Sequence, residues 1–314
     1  MDELRAERQQ VQEIHSALER AGQSGERETL QRFDPIADAG AEFPHYPSGI
    51  ESFDGLFGGF TGFTVLGGTG GAGKSLVSMG TGLHNAHESL GQHEVGDFIV
   101  FVDAEQHGPN VRKRMYRWYY SDNRFRAEFP KIRDNVCFFD FDQIKKADGK
   151  EVINMEPLRL TLREVYRLPH RRVILVLDSL QSIIRRAKNP SPNVTEWVAL
   201  DWMLDWCRSL PKATSGRLCV IALNEANSNG GMRGGEQARH ASDMCIWFKE
   251  VDDEKLDGDV GLVDVTVTKH RDGRKGKAGR FIIHWPTSRL EPHSGPCMKW
   301  KEDNDVHEQQ EFIL

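Results

Sequence analysis

The segment Gly68–Ser75 combines residue types and a spacing that could bind a nucleoside triphosphate. It reads G-T-G-G-A-G-K-S and so fits the phosphate-binding pattern G-x-x-x-x-G-K-S. In this pattern backbone N–H groups surround the phosphates, Lys74 contacts the β- and γ-phosphates, and the Ser75 hydroxyl contacts Mg²⁺. A β-prone run at 63–66 precedes the loop and a helix-compatible run at 76–79 follows it, as the motif requires. The alternative is a glycine-rich surface loop that matches by chance. The predicted nucleotide ligands are Gly68, Thr69, Gly70, Gly71, Ala72, Gly73, Lys74 and Ser75.

Carboxylates stand where a hydrolytic site would need them. Asp178 directly follows the apolar run 173–177, which predicts a ligand in the Mg²⁺ shell at the end of a strand. The run 98–102 ends in Asp103-Ala104-Glu105, and we predict Glu105 as the general base for the attacking water, with Asp103 as a supporting acid. The alternative is that these acids are solvated turn residues. The predicted metal ligands are Ser75 and Asp178, and the predicted catalytic residues in this part of the chain are Lys74 and Glu105.

An α/β fold must position these residues. Continuous apolar runs are typical of strands buried on both faces, and helical segments separate them, including a helix over 194–210. This pattern predicts a mostly parallel twisted sheet with helices on both faces. From residue 244 onward, strand-like runs joined by turns predict an antiparallel extension at the C-terminal end. The predicted strands are 63–66, 98–102, 136–139, 173–177, 218–223, 244–248, 261–268 and 280–285.

The chain divides into three predicted regions. Residues 1–45 contain apolar residues at three-, four- and seven-residue steps, which predict an amphipathic helix followed by a linker. That helix either docks on its own domain or serves as a docking arm for a neighbouring subunit. Residues 46–290 form the predicted ATPase domain, and 291–314 form a polar tail. The tail ends in Glu-Phe-Ile-Leu, which could dock a protein partner, although a disordered end is the reading we favour.

Composition limits the function classes. The 314 residues are 38% hydrophobic and carry a net charge of −6, so any nucleic-acid binding must use local basic residues. The five cysteines are scattered without a C-x-x-C pair, which favours buried thiols in a reducing compartment over a zinc ribbon or a disulfide framework. The charged N-terminus lacks the apolar stretch of a secretory signal, and no apolar run approaches the ~20 residues of a membrane span. We therefore predict a cytoplasmic protein without membrane contact, associated with the nucleoid if it binds DNA.

Several motifs, in the same order, resemble those of the RecA-type P-loop ATPases, most closely the branch that holds RadA, KaiC and the hexameric replicative helicases. Residues 46–59 resemble the branch's opening motif T-G-I-x-x-L-D-x-L-L-G-G, and 101–105 resemble the RecA strand that ends in the catalytic glutamate. Residues 177–182 resemble the Walker B motif of RadA and its sequel. Residues 234–243 and 269–273 lie where RadA has G-P-R-V-L-E-H-M-V-D and K-N-R-F-G. No cysteine cluster matches RadA's zinc finger, and we expect neither its protease-like domain nor a second ATPase domain as in KaiC.

The resemblance implies a RecA-like core that assembles into a ring, most simply a hexamer, or into a filament with ATP between subunits. Lys269 and Arg271 would then reach the neighbour's γ-phosphate as catalytic cations, stabilising the charge that develops during phosphoryl transfer. The alternative is a basic β-turn, because more lysines and arginines follow closely.

Two loops of such a core would face a central channel and bind single-stranded DNA. They are 185–193, after Walker B, and 227–237, after the next strand. Basic side chains would contact phosphates and glycines would let the backbone approach the strand. Neither loop contains an aromatic residue, so we expect binding to the DNA backbone with little sequence selectivity. The alternative is a mobile surface loop without a ligand. The predicted DNA-binding residues are Arg185, Arg186, Lys188 and Arg233.

The predicted sensor residues depart from the RecA pattern. RecA proteins have a glutamine at the position that senses the γ-phosphate, whereas here the strand ends in Asn224 and Glu225. Asn224 could sense phosphate, but Glu225 would repel it unless it were protonated, paired with a cation or turned away.

Three functions agree with these motifs. The leading hypothesis is an ATP-dependent DNA motor of replication or recombination, a helicase or translocase, that requires ATP and Mg²⁺. The second is a KaiC-like regulatory ATPase that switches protein partners without DNA, and the third is a helicase-loader-type adaptor. DNA-stimulated ATP turnover would separate the motor from the switch.

Overall fold

A nine-stranded sheet forms the centre of the part of the chain that the structure describes. The computed structural model describes residues 44–105, 108–120, 132–139, 144–148, 151–168, 170–214, 216–227, 231–232, 234–251, 259–271, 273 and 275–293. The predicted N-terminal helix, the tail from residue 294 onward and Arg233 lie outside these residues, and the predicted division into three regions stays a prediction. The strands are β1 Phe63–Gly68, β2 Phe98–Asp103, β3 Val136–Phe139, β4 Val173–Asp178, β5 Leu218–Glu225, β6 Met244–Val251, β7 Val260–His270, β8 Gly276–His284 and β9 Arg289–Pro292. Their order in the sheet is β3-β2-β4-β5-β1-β6-β7-β8-β9.

The strands from β3 to β1 in this order run parallel and confirm the predicted core. Every residue of β1, β2 and β4 is buried, which explains their continuous apolar runs. Successive side chains point to opposite faces of the sheet. Leu66 and Ile174 therefore belong to one hydrophobic cluster, and Val65 and Leu175 belong to the other.

Helices cover both faces of the sheet. The helices are α1 Glu51–Phe57, α2 Lys74–Gln92, α3 Gly108–Tyr120, α4 Glu156–Arg167, α5 Leu180–Ala187, α6 Glu196–Ala213 and α7 Gly235–Ala241. The first three pack into one cluster and the last four into the other. The helix predicted over 194–210 is confirmed as α6, which begins after Thr195 because that side chain accepts a hydrogen bond from the N–H of Val198. No helix in the described part of the chain has the length and apolar character needed to cross a membrane.

The predicted antiparallel extension is confirmed, but it begins one strand later than expected. β6 pairs in parallel with β1, and β7, β8 and β9 then follow in antiparallel order. In the β1–β6 register Gly68 lies opposite Phe248. A Cβ atom on Gly68 would lie 2.2 Å from the Phe248 carbonyl oxygen, so only glycine allows this close approach. The first residue of the phosphate-binding loop is thus fixed against the neighbouring strand.

A buried ion pair ties the segment before α1 to the sheet. The Arg172 guanidinium contacts Asp97 at 2.7 Å, and its Nη1 donates a hydrogen bond to the His45 carbonyl at 3.0 Å. The same guanidinium lies over the Tyr46 ring, 4.5 Å from its centroid. The Tyr46 hydroxyl donates to the Gly216 carbonyl at 3.0 Å, and burial raises the pKa of this phenol. The Asp97 side chain is fully buried, and the Arg172 guanidinium is the cation that contacts its carboxylate.

Replacing Arg172 with methionine should therefore destabilise the protein strongly. The change leaves the Asp97 carboxylate buried without its cation, a loss expected to lower the free energy of unfolding by about 3–5 kcal/mol. Urea unfolding followed by circular dichroism measures this loss. Arg167→Ala is the control, because its ion pair with Glu164 is exposed on both sides and should contribute less than about 1 kcal/mol. Equal, small effects of the two substitutions would contradict the role assigned to Arg172.

Candidate nucleotide site

The carboxyl ends of four parallel strands meet beside the predicted phosphate-binding loop. β1 ends at Gly68, opposite Glu225 of β5. β2 ends at Asp103, opposite Asp178 of β4. Since parallel strands share one direction, their last residues lie at one edge of the sheet, which is where α/β proteins bind ligands. The structure thus brings the predicted loop, metal and base residues to one edge.

The loop itself has the backbone of an anion-binding turn. Gly71 and Gly73 have φ angles of 79° and 83°, in the left-handed region that favours glycine, and Gly73 directly precedes α2. The Lys74 ammonium donates hydrogen bonds to the carbonyl oxygens of Gly68 at 2.9 Å and of Thr69 at 2.7 Å. The Lys74 side chain therefore folds back over the loop, and its ammonium is bound by two carbonyl oxygens of the loop itself.

Lys74 is held among acids. Burial lowers the pKa of its ammonium, and the charges of Asp178, Glu105 and Glu225 oppose this shift. Three of the four predicted acidic positions therefore lie close enough to influence Lys74. A phosphate group in the loop would offer this ammonium a charged acceptor in place of two neutral carbonyls.

Asp178 is a buried carboxyl group at this edge of the sheet. It is 3% exposed, and burial raises its pKa to about 7. A hydrogen bond with Ser75 and the charge of Arg114 lower this pKa, whereas Glu105 and Asp103 raise it further. Such a carboxyl group is ionised at neutral pH only at a cost, and a nearby cation would remove that cost.

The contact between Ser75 and Asp178 fits a Mg²⁺ ion. A hydroxyl and a carboxylate are oxygen ligands of the kind that Mg²⁺ prefers, and this ion usually takes only one or two protein carboxylates. In the described residues no group of three or more His, Cys, Asp or Glu side chains forms a metal cluster. Mg²⁺ usually keeps several waters and binds substrate phosphates, which would supply the other ligands here.

Glu105 extends beyond the strand end, unlike Asp103. Asp103 is 2% exposed, and its carboxylate accepts a hydrogen bond from the N–H of Glu105 at 3.2 Å. The N–H of Ala104 donates to the carbonyl of Asp178 at 2.8 Å, which fixes this turn against β4. The Glu105 side chain is exposed. A buried acid thus supports the turn, and the accessible acid lies where water could reach it.

A polar network joins the end of β5 to α5. Gln181 donates from its amide to the Asn224 side-chain oxygen and accepts from the N–H of Glu225 at 3.1 Å. The Glu225 carboxylate accepts a hydrogen bond from Ser179 at 3.3 Å and lies 3.6 Å from Arg185. Of the three ways in which Glu225 could avoid repelling phosphate, the structure shows pairing with a cation.

A family model described as an AAA domain matches residues 37–214, more than half of the chain.

The chain belongs to this AAA domain family.

Solved structures of three proteins share the fold of this AAA domain. The ATPase domain of G40P is 17% identical, with a TM-score of 0.61 over 82% of this chain and 95% of that chain. A KaiC-like protein from Pyrococcus horikoshii OT3 is 20% identical, with a TM-score of 0.57 over 80% and 100%. A DnaB-like replicative helicase is 17% identical, with a TM-score of 0.61 over 90% and 71%. No curated protein matches the sequence. The predicted RecA-like α/β fold is confirmed, because these three structures share it.

The predicted first DNA-binding loop begins later in this AAA domain than expected. Arg185 and Arg186 belong to the last turn of α5, because the buried side chains of Ile184 and Ala187 continue the helix. Lys188 follows it and donates to the Val194 carbonyl at 2.7 Å. The prediction of a loop from residue 185 was therefore wrong for its first three residues.

The second predicted loop packs against Gly67, the residue that precedes the phosphate-binding loop. A Cβ atom on Gly67 would lie 2.3 Å from the terminal methyl of Met232, so this methionine packs against the glycine backbone. The Gly68 carbonyl accepts from the N–H of Ala226 at 3.0 Å as well as from Lys74. Residues 228–230 and Arg233 of this loop lie outside the described residues. The described part joins the loop to the nucleotide site.

Lys269 and Arg271 lie at the opposite edge of the sheet. Lys269 is the second-to-last residue of β7 and Arg271 directly follows the strand, whose last residue, His270, is opposite Met244 at the start of β6. Lys269 donates hydrogen bonds to the carbonyls of Arg239, His240 and Ser242 at 2.6–3.0 Å and so provides a donor for the carbonyl oxygens at the end of α7. Burial lowers the pKa of the Lys269 ammonium.

Arg271 pairs with Asp243 at 3.0 Å, and its side chain is 43% exposed. Asp243 also accepts a hydrogen bond from the N–H of Phe63, the first residue of β1. The length of β1, roughly 16 Å for six residues, therefore separates this edge from the subunit's own Gly68.

Three contributors to the site were not among the predicted site residues. Gln181 links Asn224 to α5, Met232 packs on Gly67, and the charge of Arg114 acts on Asp178. Only Gln181 has a local signal, because it lies in the segment that resembles the sequel to Walker B. The other two lie in a basic helix and in a glycine-rich loop, where nothing distinguishes them from solvated residues.

Replacing Asp178 with asparagine should stabilise the nucleotide-free protein while weakening Mg²⁺–ATP binding. The raised pKa means that the folded state prefers the neutral carboxyl, so ionisation destabilises the protein as pH rises from about 4 to about 7. Asparagine removes this penalty and keeps an acceptor for Ser75. Thermal unfolding should show a gain that is larger at pH 8 than at pH 5. A gain independent of pH, or a loss at pH 8, would contradict the assignment.

Proposed function

We propose that this protein is an ATP-dependent motor that hydrolyses ATP between subunits and moves single-stranded DNA. The observation that carries this proposal is the convergence of Lys74, Ser75, Glu105 and Asp178 at one edge of the sheet. The family model supports an ATPase domain, and a DnaB-like replicative helicase is among the proteins that share the fold.

The protein's own groups can perform the hydrolytic steps. Backbone N–H groups of the loop and the ammonium of Lys74 bind the triphosphate, and Lys74 exchanges its carbonyl acceptors for phosphate oxygens. Ser75 and Asp178 would hold a Mg²⁺ ion, which would supply positive charge against the phosphates. Glu105 orients the attacking water and accepts its proton, and the buried Asp103 holds the turn that presents it.

Arg271 is the group that we assign to the neighbouring subunit's site. Because it lies at the edge opposite its own loop, it can meet a γ-phosphate only across a subunit interface. A head-to-tail contact that closes gives a ring, and one that does not close gives a filament. Lys269 already satisfies three carbonyls of its own subunit, so we assign it a supporting role that fixes the end of β7.

The proposed DNA contacts are local, as the net charge of −6 requires. The end of α5 carries Arg185 and Arg186, and Gln181 connects this helix to the end of β5. The segment after β5 contributes Arg233, which lies outside the described residues, and its Met232 packs on Gly67. Phosphates of DNA would compete with Glu225 for Arg185, since a pair 3.6 Å apart with half of the arginine exposed is weak.

A KaiC-like switch without DNA is the second candidate. The observation that favours it is that Arg185 and Lys188 already make contacts within the subunit, with Glu225 and with the Val194 carbonyl. A protein in which these cations serve only its own structure would hydrolyse ATP but would not bind DNA.

Mixing two inactive variants tests whether the site is shared between subunits. Lys74→Ala removes the phosphate contact, and Arg271→Ala should lower turnover by about 10³-fold or more if it acts as an arginine finger. In a mixed assembly about one interface in four combines an intact loop with an intact Arg271, so activity should return to roughly that fraction.

Arg280→Ala is the matched control for this experiment. The ion pair of Arg280 with Asp264 has nearly the same exposure as that of Arg271 with Asp243. Arg280 lies within β8, opposite Asp264, and has no proposed contact with a neighbouring subunit. The control should keep wild-type turnover. Mixtures that stay inactive, or an Arg271→Ala protein with full turnover in the assembled state, would rule out the shared site.

Single-stranded DNA should raise ATP turnover, and the effect should weaken as salt increases because phosphate contacts release counterions. Replacing Arg185 and Arg186 together with alanine should reduce the salt dependence of DNA affinity by about 0.7 in log–log slope per lost contact. Steady-state ATPase assays and fluorescence anisotropy measure both effects. Turnover that is unaffected by DNA, in a protein that still assembles with nucleotide, would favour the switch.

A further inference from the structure

A cavity lies between the end of α5, the start of α6 and the residue before α7. Its volume is about 230 Å³. It is lined by Gln181, Ile184, Arg185, Glu196, Trp197, Leu200 and Gly234. We call it the Trp197 cavity. It is smaller than the about 300–1,000 Å³ of pockets for drug-sized ligands, so it suits a single ring system.

Trp197 gives this cavity an exposed aromatic wall. The side chain is 61% exposed, although it stands on a helix whose next turns, through Leu200 and Leu204, are buried. The Thr195 cap fixes the first turn of α6 and therefore the base of the indole. A large aromatic group held at the surface of a cavity is the arrangement that stacks nucleobases.

The charges around the cavity suit a nucleotide whose base enters and whose phosphate stays outside. Arg185 lines the cavity, and its side chain is 55% exposed, so its guanidinium can meet a phosphate. Glu196, which also lines the cavity, and Glu225, 3.6 Å from Arg185, are the facing acids. These acids disfavour a phosphate within the cavity, whereas an uncharged base meets no such penalty.

We propose that the Trp197 cavity holds one base of single-stranded DNA, stacked on the indole, with the adjoining phosphate on Arg185. This inference rests on the proposed DNA motor and specifies its DNA contact. It replaces the expectation of contacts to the DNA backbone alone: α6 carries the aromatic residue that the two loops lack. The stack tolerates any base, since every base has a π-face.

A base in this cavity would touch the network that ends at the nucleotide site. Gln181 lines the cavity and bonds to Asn224 and to the N–H of Glu225. Glu225 lies opposite Gly68, where the phosphate-binding loop begins. Gln181 is therefore a positioning residue between the base and the ATP site.

Two oligonucleotides of equal phosphate number, oligo-dT and its abasic counterpart, test the proposal by fluorescence anisotropy. Wild-type protein should bind oligo-dT about 5- to 150-fold more tightly than the abasic strand, as expected for stacking of a base. Trp197→Ala should remove this preference while leaving affinity for the abasic strand unchanged, and Trp197→Phe should restore part of it. Val198→Ala is the matched control, because Val198 is exposed beside Trp197 but does not line the cavity.

The possible failures are distinguishable. If wild-type protein binds oligo-dT well and Trp197→Ala keeps the full preference, the cavity proposal is wrong and the DNA motor stands. If wild-type protein binds neither strand, both are wrong. If Trp197→Ala changes the oligomeric state in light scattering and Trp197→Phe does not restore it, the cavity holds part of a second subunit, which overturns the proposal.

Discussion

The register of the parallel strands is the constraint on which the rest of the structure depends. It sets Gly68 opposite Glu225 and Asp103 opposite Asp178, so that a cation, three acids and a glycine loop share one edge. A shift of one residue would move each of these side chains to the other face of the sheet. The cost of this arrangement is visible in Asp178, whose burial raises its pKa to about 7. Binding of the Mg²⁺ and nucleotide that we propose for this site would therefore stabilise the folded protein.

The Gly67–Gly68 backbone is the point where the nucleotide site and the second loop meet. Its carbonyl at Gly68 accepts from both Lys74 and Ala226, and Met232 packs on Gly67. If Lys74 leaves that carbonyl for a phosphate, the environment of Ala226 changes at the same time. Gln181 offers a second route, from the Trp197 cavity to the end of β5. Nucleotide and DNA would thus bias the same few hydrogen bonds, as coupling between two sites requires.

The features that could be predicted from the sequence are those that depend on neighbouring residues in the chain. The loop, Asp178 and Glu105 follow apolar runs whose length and composition are typical of buried strands, and these positions agree with the structure's strand ends. Pairings between distant segments could not be predicted, because spacing along the chain does not indicate partners. Examples are the Arg185–Glu225 ion pair and the parallel pairing of β6 with β1. The aromatic wall of the cavity escaped prediction for the same reason, since Trp197 lies outside both loops and only the packing of α5 against α6 brings it beside Arg185.

The central claim is that the ATP site is completed by a neighbouring subunit. Electron cryo-microscopy of the protein with Mg²⁺ and a non-hydrolysable ATP analogue tests it most directly. The account predicts a ring or filament in which the triphosphate lies on Gly68–Ser75, the metal contacts Ser75 and Asp178, and the neighbour's Arg271 approaches the γ-phosphate. Nucleotide-bound monomers, or an assembly in which Arg271 faces solvent, would contradict it.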